Sequence, residues 1–209
     1  MHPRNLLTGL VEQFADFTEF AEVLDESWTI FLGRAEFLLD SRAVRRETGG
    51  VNETAYLSLG SNLGDRAVNL RAALAQLDAA GRLLAVSALY ETQPVDVPNQ
   101  SWFLNCVAAI ETEKTPRELL QLALQIEAAM GRLRMRNQGP RNIDIDLVLF
   151  GDRVVDEPGL KIPHPAMQQR RFVLEPLVEI APEVRHPELG KTARELLAAL
   201  AGGQTVRRL

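Results

Sequence analysis

The chain has 209 residues, 46% of them hydrophobic, and a formal net charge of −5 at pH 7. This composition suffices for one domain with an apolar core plus an extension, and the acidic balance argues against a general binder of nucleic acid or anionic membranes. The single cysteine, Cys106, cannot form an intramolecular disulfide and indicates a reducing compartment. Because neither an apolar run of membrane-span length nor a secretory signal occurs, we expect a cytoplasmic protein.

The first fifty residues differ from the rest and carry no recognisable motif. Apolar residues recur at helical spacing from Leu7 to Leu24, which predicts an amphipathic helix. The segment ends in Gly49 and Gly50, which are typical of a linker. It could be a helical pair, a partner-binding arm, a poorly ordered extension or the result of a start site assigned too far upstream. We therefore expect an N-terminal extension over 1–50 and a domain over 51–209.

The domain begins with a pattern of strand, helix, strand, strand, helix, strand. The first helix follows a cap at Asp65, and the second opens with the capping box Thr115–Glu118. The four strands are expected over residues 55–59, 83–90, 103–111 and within 139–151.

After the fourth strand we expect a hairpin over 152–156 and then C-terminal helices. One helix is predicted near 173–180, and another from the capping box Thr192–Glu195. The element order predicts an α+β fold with a ferredoxin-like βαββαβ core and an antiparallel sheet. Helices should cover one face of the sheet, which leaves the other face and the loops after strands two and four for substrates.

Two polar features of these elements have both a structural and a functional interpretation. A turn between a strand and a helix, as at Gly60–Gly64, can bind phosphate through backbone N–H groups. This turn lacks the lysine of a P-loop and the glycine spacing of a dinucleotide site, so a structural turn is favoured. Asn105 lies in an apolar strand, either as a core amide bonded to backbone or as a group that recognises the edge of a heterocycle.

The most informative stretch is Gly139–Gly151, which contains Asp144 and Asp146. Side chains alternate along a strand, so both carboxylates should emerge from the face opposite an apolar set of Ile143, Ile145, Leu147 and Leu149. Paired carboxylates suit Mg²⁺, and the nearby arginines suit a polyanion: Arg132, Arg134, Arg136 and Arg141. The alternative is a solvated strand face, but the arginines beside the acids favour a phosphoryl-transfer site.

From about Thr54 to Leu200 the chain resembles the 6-hydroxymethyl-7,8-dihydropterin pyrophosphokinase family. The matching stretches are LSLGSNLGDR, LYETQPV, FLNCV, IEAAMGR, GPRNIDIDLVLFG, IPHPAMQQRRFVLEPLVEIAPEV and HPELGKTARELL. The resemblance implies transfer of pyrophosphate from ATP to the hydroxymethyl group of the dihydropterin, with release of AMP. It leaves the first fifty residues unexplained.

The resemblance also implies roles for individual residues. Asp144 and Asp146 would hold two Mg²⁺ ions, and Arg132 and Arg141 would be the catalytic arginines. The implied ATP-binding residues are Glu127, Arg134, Lys161, His164 and Arg170. The implied pterin-binding residues are Thr92, Gln93, Pro94, Val95, Phe103, Asn105 and Phe172.

Some of these assignments have competing interpretations. Glu127 could be a solvated helix terminus, and His164 an ordinary loop histidine. Some relatives have other residues at the positions of Gln138, Pro165 and Gln93. The first difference affects how the loop before Gly139 would close over the pterin, and the second weakens the expected stacking near the nucleotide.

A nucleotidyltransferase and a non-catalytic ligand-sensing module are the rival functions. We expect a monomer that acts on small molecules and binds neither nucleic acid nor membranes.

Overall fold

The computed structural model describes residues 52–79, 81–94, 101–131 and 140–209. The predicted helical extension over 1–50 and its boundary with the domain lie outside these residues. The predicted site residues Val95, Arg132 and Arg134 also lie outside them. No helix in the described ranges is long and apolar enough to cross a membrane.

Strands in the described ranges build one large sheet and a separate hairpin. Their bounds are β1 Glu53–Ser61, β2 Arg82–Val86, β3 Tyr90–Thr92, β4 Phe103–Thr112, β5 Asp144–Phe150, β6 Val155–Glu157, β7 Leu160–Ile162 and β8 Val206–Arg208. The large sheet has the order β5-β1-β4-β3-β8, and β2 also pairs with β4. Every pairing in it is antiparallel. The predicted mixed fold with an antiparallel sheet and helices is confirmed.

The α-helices of the described chain pack on both faces of this sheet. Their bounds are α1 Arg66–Asp78, α2 Pro116–Ala129, α3 Arg171–Ile180 and α4 Ala193–Ala199. The predicted caps are present. Asp65 accepts the N–H of Val68 at 3.0 Å at the start of α1, and capping boxes open α2 and α4. Side-chain oxygens thereby satisfy N–H groups that have no partner within the helix.

The first face of the sheet packs against α1 and α2 and forms the larger core. The buried residues of this first core include Leu57, Leu59, Leu70, Leu77, Cys106, Ile110, Leu119, Ile126, Ile143 and Ile145. Burial of each large aliphatic side chain contributes roughly 1.5–3 kcal/mol. Burial also raises the pKa of the Cys106 thiol to about 12, which makes this free cysteine unreactive at neutral pH.

The second face packs against α3 and α4, although we expected it to be free for substrates. The buried residues of this second core include Val107, Val148, Leu149, Met167, Val173, Leu174 and Leu177. That expectation is wrong because α3 has its own apolar stripe, which it buries against the sheet. The part of this face that these helices leave for the expected substrate site is where polar residues replace apolar ones.

A β-bulge in β5 changes which face its last residues reach. Tyr56 pairs with Leu149, whereas the next residue, Leu57, pairs with Leu147, so Val148 is the extra residue. Leu147 packs in the first core as predicted, but Leu149 packs in the second. The prediction that the four alternating apolar residues share one face is therefore wrong for Leu149.

The second predicted strand, over 83–90, is in fact two strands, because residues 87–89 leave the ladder. Ser87 Oγ accepts the N–H of Val107 at 3.0 Å, in the place of a backbone carbonyl. The hydroxyl therefore competes with regular pairing at this position. β3 also includes Glu91 and Thr92, which we expected to begin the following loop.

Two features of the C-terminal half differ from the prediction. The hairpin expected over 152–156 is formed by β6 and β7 instead, and its turn contains Gly159, whose φ is +75°. β8 was missed and pairs with β3. A three-residue strand with two arginines has no alternating apolar pattern that would predict it.

Candidate active site

Asp144 and Asp146 project from the face of β5 opposite the first core, as the alternation predicted. Ile145 between them is 3% exposed, whereas the two acidic side chains keep 25% and 36% of their surface exposed. On the neighbouring strand β1 they stand beside Gly60 and Ser58. Both of these neighbours on β1 are small residues.

Two arginines from different segments pair with these carboxylates. Arg141 Nη1 lies 2.5 Å from Asp144 Oδ2, and Arg170 Nη1 lies 3.2 Å from Asp146 Oδ2. All four side chains are partly buried, so their charges are screened less than those of a surface pair. The structure therefore brings together four of the predicted site residues from the β5 strand, the loop before it and the start of α3.

His164 lies beside Asp146 and Arg170. Its Nδ1 accepts the N–H of Ala166 at 3.2 Å. Nε2 lies 3.9 Å from Asp146 Oδ2 and 3.4 Å from Arg170 Nη1. Burial lowers the pKa of His164 below its ordinary value, although Asp146 opposes this effect, and the neutral ring is therefore favoured at pH 7.

Asn62 positions the backbone of Arg141, a role that the sequence did not reveal. Asn62 Oδ1 accepts the N–H of Arg141 at 2.8 Å, and its own N–H donates to the carbonyl of Arg141 at 3.2 Å. Its Nδ2 also donates to the carbonyl of Ser101 at 3.4 Å. The only signal in the sequence was an amide side chain in the turn between β1 and α1.

Glu127 is buried at the end of α2 rather than exposed. It is 2% exposed, and its Oε1 accepts the N–H of Ile145 at 2.8 Å. Ile145 is the residue between the two aspartates. The interpretation of Glu127 as a solvated helix terminus is therefore wrong, because its carboxylate fixes α2 to the strand that carries the acids.

The predicted pterin residues on β3 and β4 form a polar contact of their own. Asn105 Nδ2 donates to Thr92 Oγ1 at 2.6 Å, and the two residues are 3% and 2% exposed. Asn105 is therefore a buried amide bonded to a side-chain hydroxyl. A methyl group on Gly60 would lie 2.6 Å from Asn105 Oδ1, so the close approach of this amide requires glycine in β1.

Two predicted pterin-binding aromatic residues each lie next to an arginine of the site. Arg141 Cζ lies 5.7 Å from the ring centre of Phe103, and Arg170 Cζ lies 5.5 Å from that of Phe172. These are cation–π distances. Of the remaining predicted pterin residues, Gln93 and Pro94 directly follow β3.

Lys161 is the predicted site residue for which the structure gives a different partner. Its Nζ lies 3.1 Å from Asp156 Oδ1 across the exposed hairpin.

Within the described ranges, no group of three or more acidic, histidine or cysteine side chains could hold a metal ion by itself. Any magnesium bound by Asp144 and Asp146 would complete its shell with phosphate and water oxygens.

Comparison with known proteins identifies the family. Residues 56–182 match the model of the family described as 7,8-dihydro-6-hydroxymethylpterin-pyrophosphokinase. The chain belongs to this pyrophosphokinase family. The predicted resemblance is thereby confirmed, and the match includes the two aspartates, both of their arginine partners, Asn62 and Glu127.

Individual relatives agree with the pyrophosphokinase assignment. The chain is 48% identical to the 2-amino-4-hydroxy-6-hydroxymethyldihydropteridine pyrophosphokinase of Methylorubrum extorquens, over 70% of this chain and 92% of the relative. It is 43% identical to the Pseudomonas aeruginosa enzyme of the same name, over 70% and 91%. The folic acid synthesis protein fol1 of Schizosaccharomyces pombe is 40% identical over 82% of this chain, which spans only 23% of that relative.

Solved structures share the fold at lower sequence identity. A wild-type HPPK–DHPS chain of Plasmodium falciparum, in a crystal structure with pteroate, superposes with a TM-score of 0.59 at 19% identity. The match covers 73% of this chain and 45% of that chain. This chain therefore corresponds to less than half of that longer protein, and at this identity the comparison supports the fold alone.

Proposed function

We propose that this chain transfers the pyrophosphoryl group of ATP to the hydroxymethyl group of 6-hydroxymethyl-7,8-dihydropterin, with release of AMP, in folate biosynthesis. The observation that carries the proposal is the meeting of Asp144 and Asp146 with Arg141 and Arg170 at one site in a chain of this family. Phosphoryl-type transfer depends mainly on positioning and on neutralisation of charge, and this arrangement supplies groups for both.

Asp144 and Asp146 are the residues that would hold magnesium. Their carboxylates are hard oxygen donors, they are partly exposed, and they share one face of β5. We infer two ions, which when bound would neutralise triphosphate charge and act as a template for the nucleotide. His164 places a neutral imidazole 3.9 Å from Asp146 Oδ2, and we propose that it binds a phosphate oxygen of the nucleotide.

The arginines and the polar strand residues have separate roles in this proposal. Arg141 and Arg170 would bind phosphate oxygens and offset the negative charge that develops during transfer. Asn105 and Thr92 would bind the edge of the pterin, with Phe103 and Phe172 against its flat surfaces. We also propose that Arg132 acts in catalysis, that Arg134 binds ATP and that Val95 binds the pterin.

The proposal also covers the fold, the domain organisation, the location and the oligomeric state of the chain. The strand order and the two helical crossovers support a ferredoxin-like βαββαβ core. We propose an independent catalytic domain over 51–209, active as a cytoplasmic monomer on small molecules alone. If this is right, removal of residues 1–50 leaves kcat and KM unchanged; a soluble but inactive 51–209 fragment would contradict it.

The direct test is product analysis with purified protein, ATP, Mg²⁺ and the hydroxymethyl dihydropterin. We expect AMP and the pterin diphosphate in equal amounts, with both products dependent on Mg²⁺. Formation of ADP would contradict pyrophosphoryl transfer, and release of free pyrophosphate with a nucleotidylated product would indicate a nucleotidyltransferase. Binding of the pterin without any turnover would indicate a non-catalytic module.

A further inference from the structure

The first residue of α1, Arg66, joins β3 to the segment just before β4. Its Nη1 donates to the backbone carbonyl of Trp102 at 2.8 Å, and its Nη2 donates to Glu91 Oε1 at 2.9 Å. Glu91 lies in β3, whereas Trp102 directly precedes β4. The planar guanidinium presents its donors at a fixed spacing, so one side chain sets the separation of the two segments.

The two segments meet at the end of the β3–β4 ladder, where Thr92 pairs with Phe103. Each of these residues directly follows a residue that Arg66 binds. Thr92 Oγ1 accepts from Asn105 Nδ2 at 2.6 Å. On the other strand, the ring centre of Phe103 lies 5.7 Å from Arg141 Cζ. On each strand, a proposed pterin residue is therefore the direct neighbour of an Arg66 partner.

Arg66 holds β3 from the side of the sheet opposite the proposed site. Side chains alternate along a strand, so the Glu91 carboxylate lies on the other face of the sheet from Thr92. That face is the one on which α1 packs, and Arg66 reaches Glu91 from the start of this helix. An effect of Arg66 on the pterin would therefore be transmitted through the positions of Thr92 and Phe103.

The turn between β1 and α1 supports the segment before β4 with a second bond. Asn62 Nδ2 donates to the carbonyl of Ser101 at 3.4 Å, next to the carbonyl that Arg66 binds. Asn62 Oδ1 also accepts the N–H of Arg141. Two consecutive carbonyls before β4 are thus bound by side chains from one turn and the start of its helix. Side chains of a site are held precisely when the structure beside them is fixed by such bonds.

We propose that Arg66 is a positioning residue for the pterin, because it holds the ends of β3 and β4 at the separation that places Thr92 and Phe103 for binding. Partly exposed ion pairs add little to folding stability, so its pair with Glu91 is better explained by geometry. A pocket ordered in advance binds more tightly, since less ordering is needed on binding. This inference rests on the function proposed above and adds a residue to which the implied site gave no role.

The test begins with Arg66→Gln, which keeps a polar side chain but cannot bind Glu91 and Trp102 at the same time. We expect the Kd of the dihydropterin, measured by calorimetry on the full chain with Mg²⁺ and a non-hydrolysable ATP analogue, to rise about tenfold. The Kd of the ATP analogue, measured without the pterin, should not change, because the proposed metal ligands are held by β5.

Two further variants serve as controls. In the matched ion pair, Arg82 Nε lies 3.2 Å from Glu111 Oε2 and joins β2 to the far end of β4, so Arg82→Gln should alter neither Kd. Arg66→Lys retains the charge and a donor for Glu91 but lacks the fork of the guanidinium. The pterin Kd should therefore rise less in Arg66→Lys than in Arg66→Gln.

Amide hydrogen exchange of the ligand-free protein tests the proposed route through the strands. In Arg66→Gln, exchange across residues 90–92 and 103–105 should be faster than in the unaltered chain, because the end of the ladder opens more readily. In Arg82→Gln, exchange across the same residues should be unchanged. This measurement needs no substrate and is therefore independent of the proposed function.

The remaining outcomes separate this inference from the proposed function. Normal pterin affinity in Arg66→Gln, while the unaltered chain binds the dihydropterin, overturns the inference and leaves the proposed function intact. Equal losses of pterin and ATP-analogue affinity, or equal effects of Arg66→Gln and Arg82→Gln, indicate a general structural role and also overturn it. Weaker pterin binding with unchanged amide exchange excludes the route through the strands and overturns it as well. If the unaltered chain does not bind the dihydropterin, the proposed function fails, and this inference fails with it.

Discussion

The two faces of the sheet are built from the same strands but serve different ends. On the first face, Leu57, Leu59 and Ile145 are closed off by α1 and α2. On the second face, alternate positions of the same strands carry groups such as Asn105 and Asp146 at the site. Neighbouring residues of one strand therefore face either the first core or the proposed site, and substitutions at these two kinds of position should have different consequences.

Loss of a carboxylate on the second face should have the largest effect on activity. Asp146→Ala removes a proposed magnesium ligand from a partly exposed position, so kcat should fall at least about a thousandfold. The urea midpoint should change little, because the side chain is not part of a core. Asp152→Ala, an exposed acid in the turn after β5, is the matched control and should retain activity. Normal turnover by Asp146→Ala at saturating Mg²⁺ would contradict the metal assignment.

A cavity in the first core should give the opposite result. Leu77→Ala deletes a side chain that is 0% exposed in α1, and should lower the free energy of unfolding by about 2–5 kcal/mol. The kcat of the remaining folded protein should be unchanged. Urea denaturation and AMP release, measured on the same preparation, check both statements. A large loss of kcat at full occupancy of the native state would show that the faces are not independent.

A substitution at Gly60 tests the close packing between β1 and the Asn105 amide of the proposed pterin site. In Gly60→Ala, the new methyl group would displace the Asn105 amide from Thr92, so we expect a pterin KM raised about tenfold and a stability loss of about 1–3 kcal/mol. A double-mutant cycle with Asn105→Ala should be strongly non-additive, because the second substitution removes the obstructed group. Additive effects would mean that the amide does not cause the defect.

Asn62 should affect turnover through Arg141 rather than by contact with substrate. Asn62→Ala removes the acceptor for the N–H of Arg141, and we expect kcat to fall about tenfold. Asn69→Ala is the matched control, since Asn69 bonds within the same turn and not to Arg141. Equal losses in the two variants would assign the effect to the turn as a whole.

The capping box of α2 should give the smallest effect. Thr115→Ala removes the hydroxyl that accepts from the N–H of Glu118, which should cost about 1 kcal/mol of stability with no change in kcat or KM. Thermal denaturation and steady-state kinetics check this. A change in the pterin KM would show that α2 transmits strain to the site through Glu127.

Features encoded by short patterns were predictable from the sequence. The alternation around Asp144 and Asp146 gave the shared face, and the caps at Asp65, Thr115 and Thr192 gave the helix starts. These features depend on residues close together in the chain. Local sequence is therefore sufficient to specify them.

Features decided by distant partners were not predictable. The bulge at Val148 depends on register with β1, and apolar residues on both sides of it hide the change of face. The burial of Glu127 depends on the N–H of Ile145, and the role of Asn62 on the loop at Arg141. A single sequence contains no signal for such pairings, because each partner is also compatible with an ordinary surface position.

The ion pairs of the site have a consequence for ligand selection. Arg141 and Arg170 are engaged with the acids proposed to bind metal, so in the described part of the site each positive group already neutralises a negative one. A bare cation must compete with a guanidinium for its carboxylate, and a bare polyphosphate must compete with a carboxylate for its guanidinium. A complex that brings both signs at once exchanges partners without leaving a charge uncompensated. The site should therefore prefer the metal–nucleotide complex to either component alone.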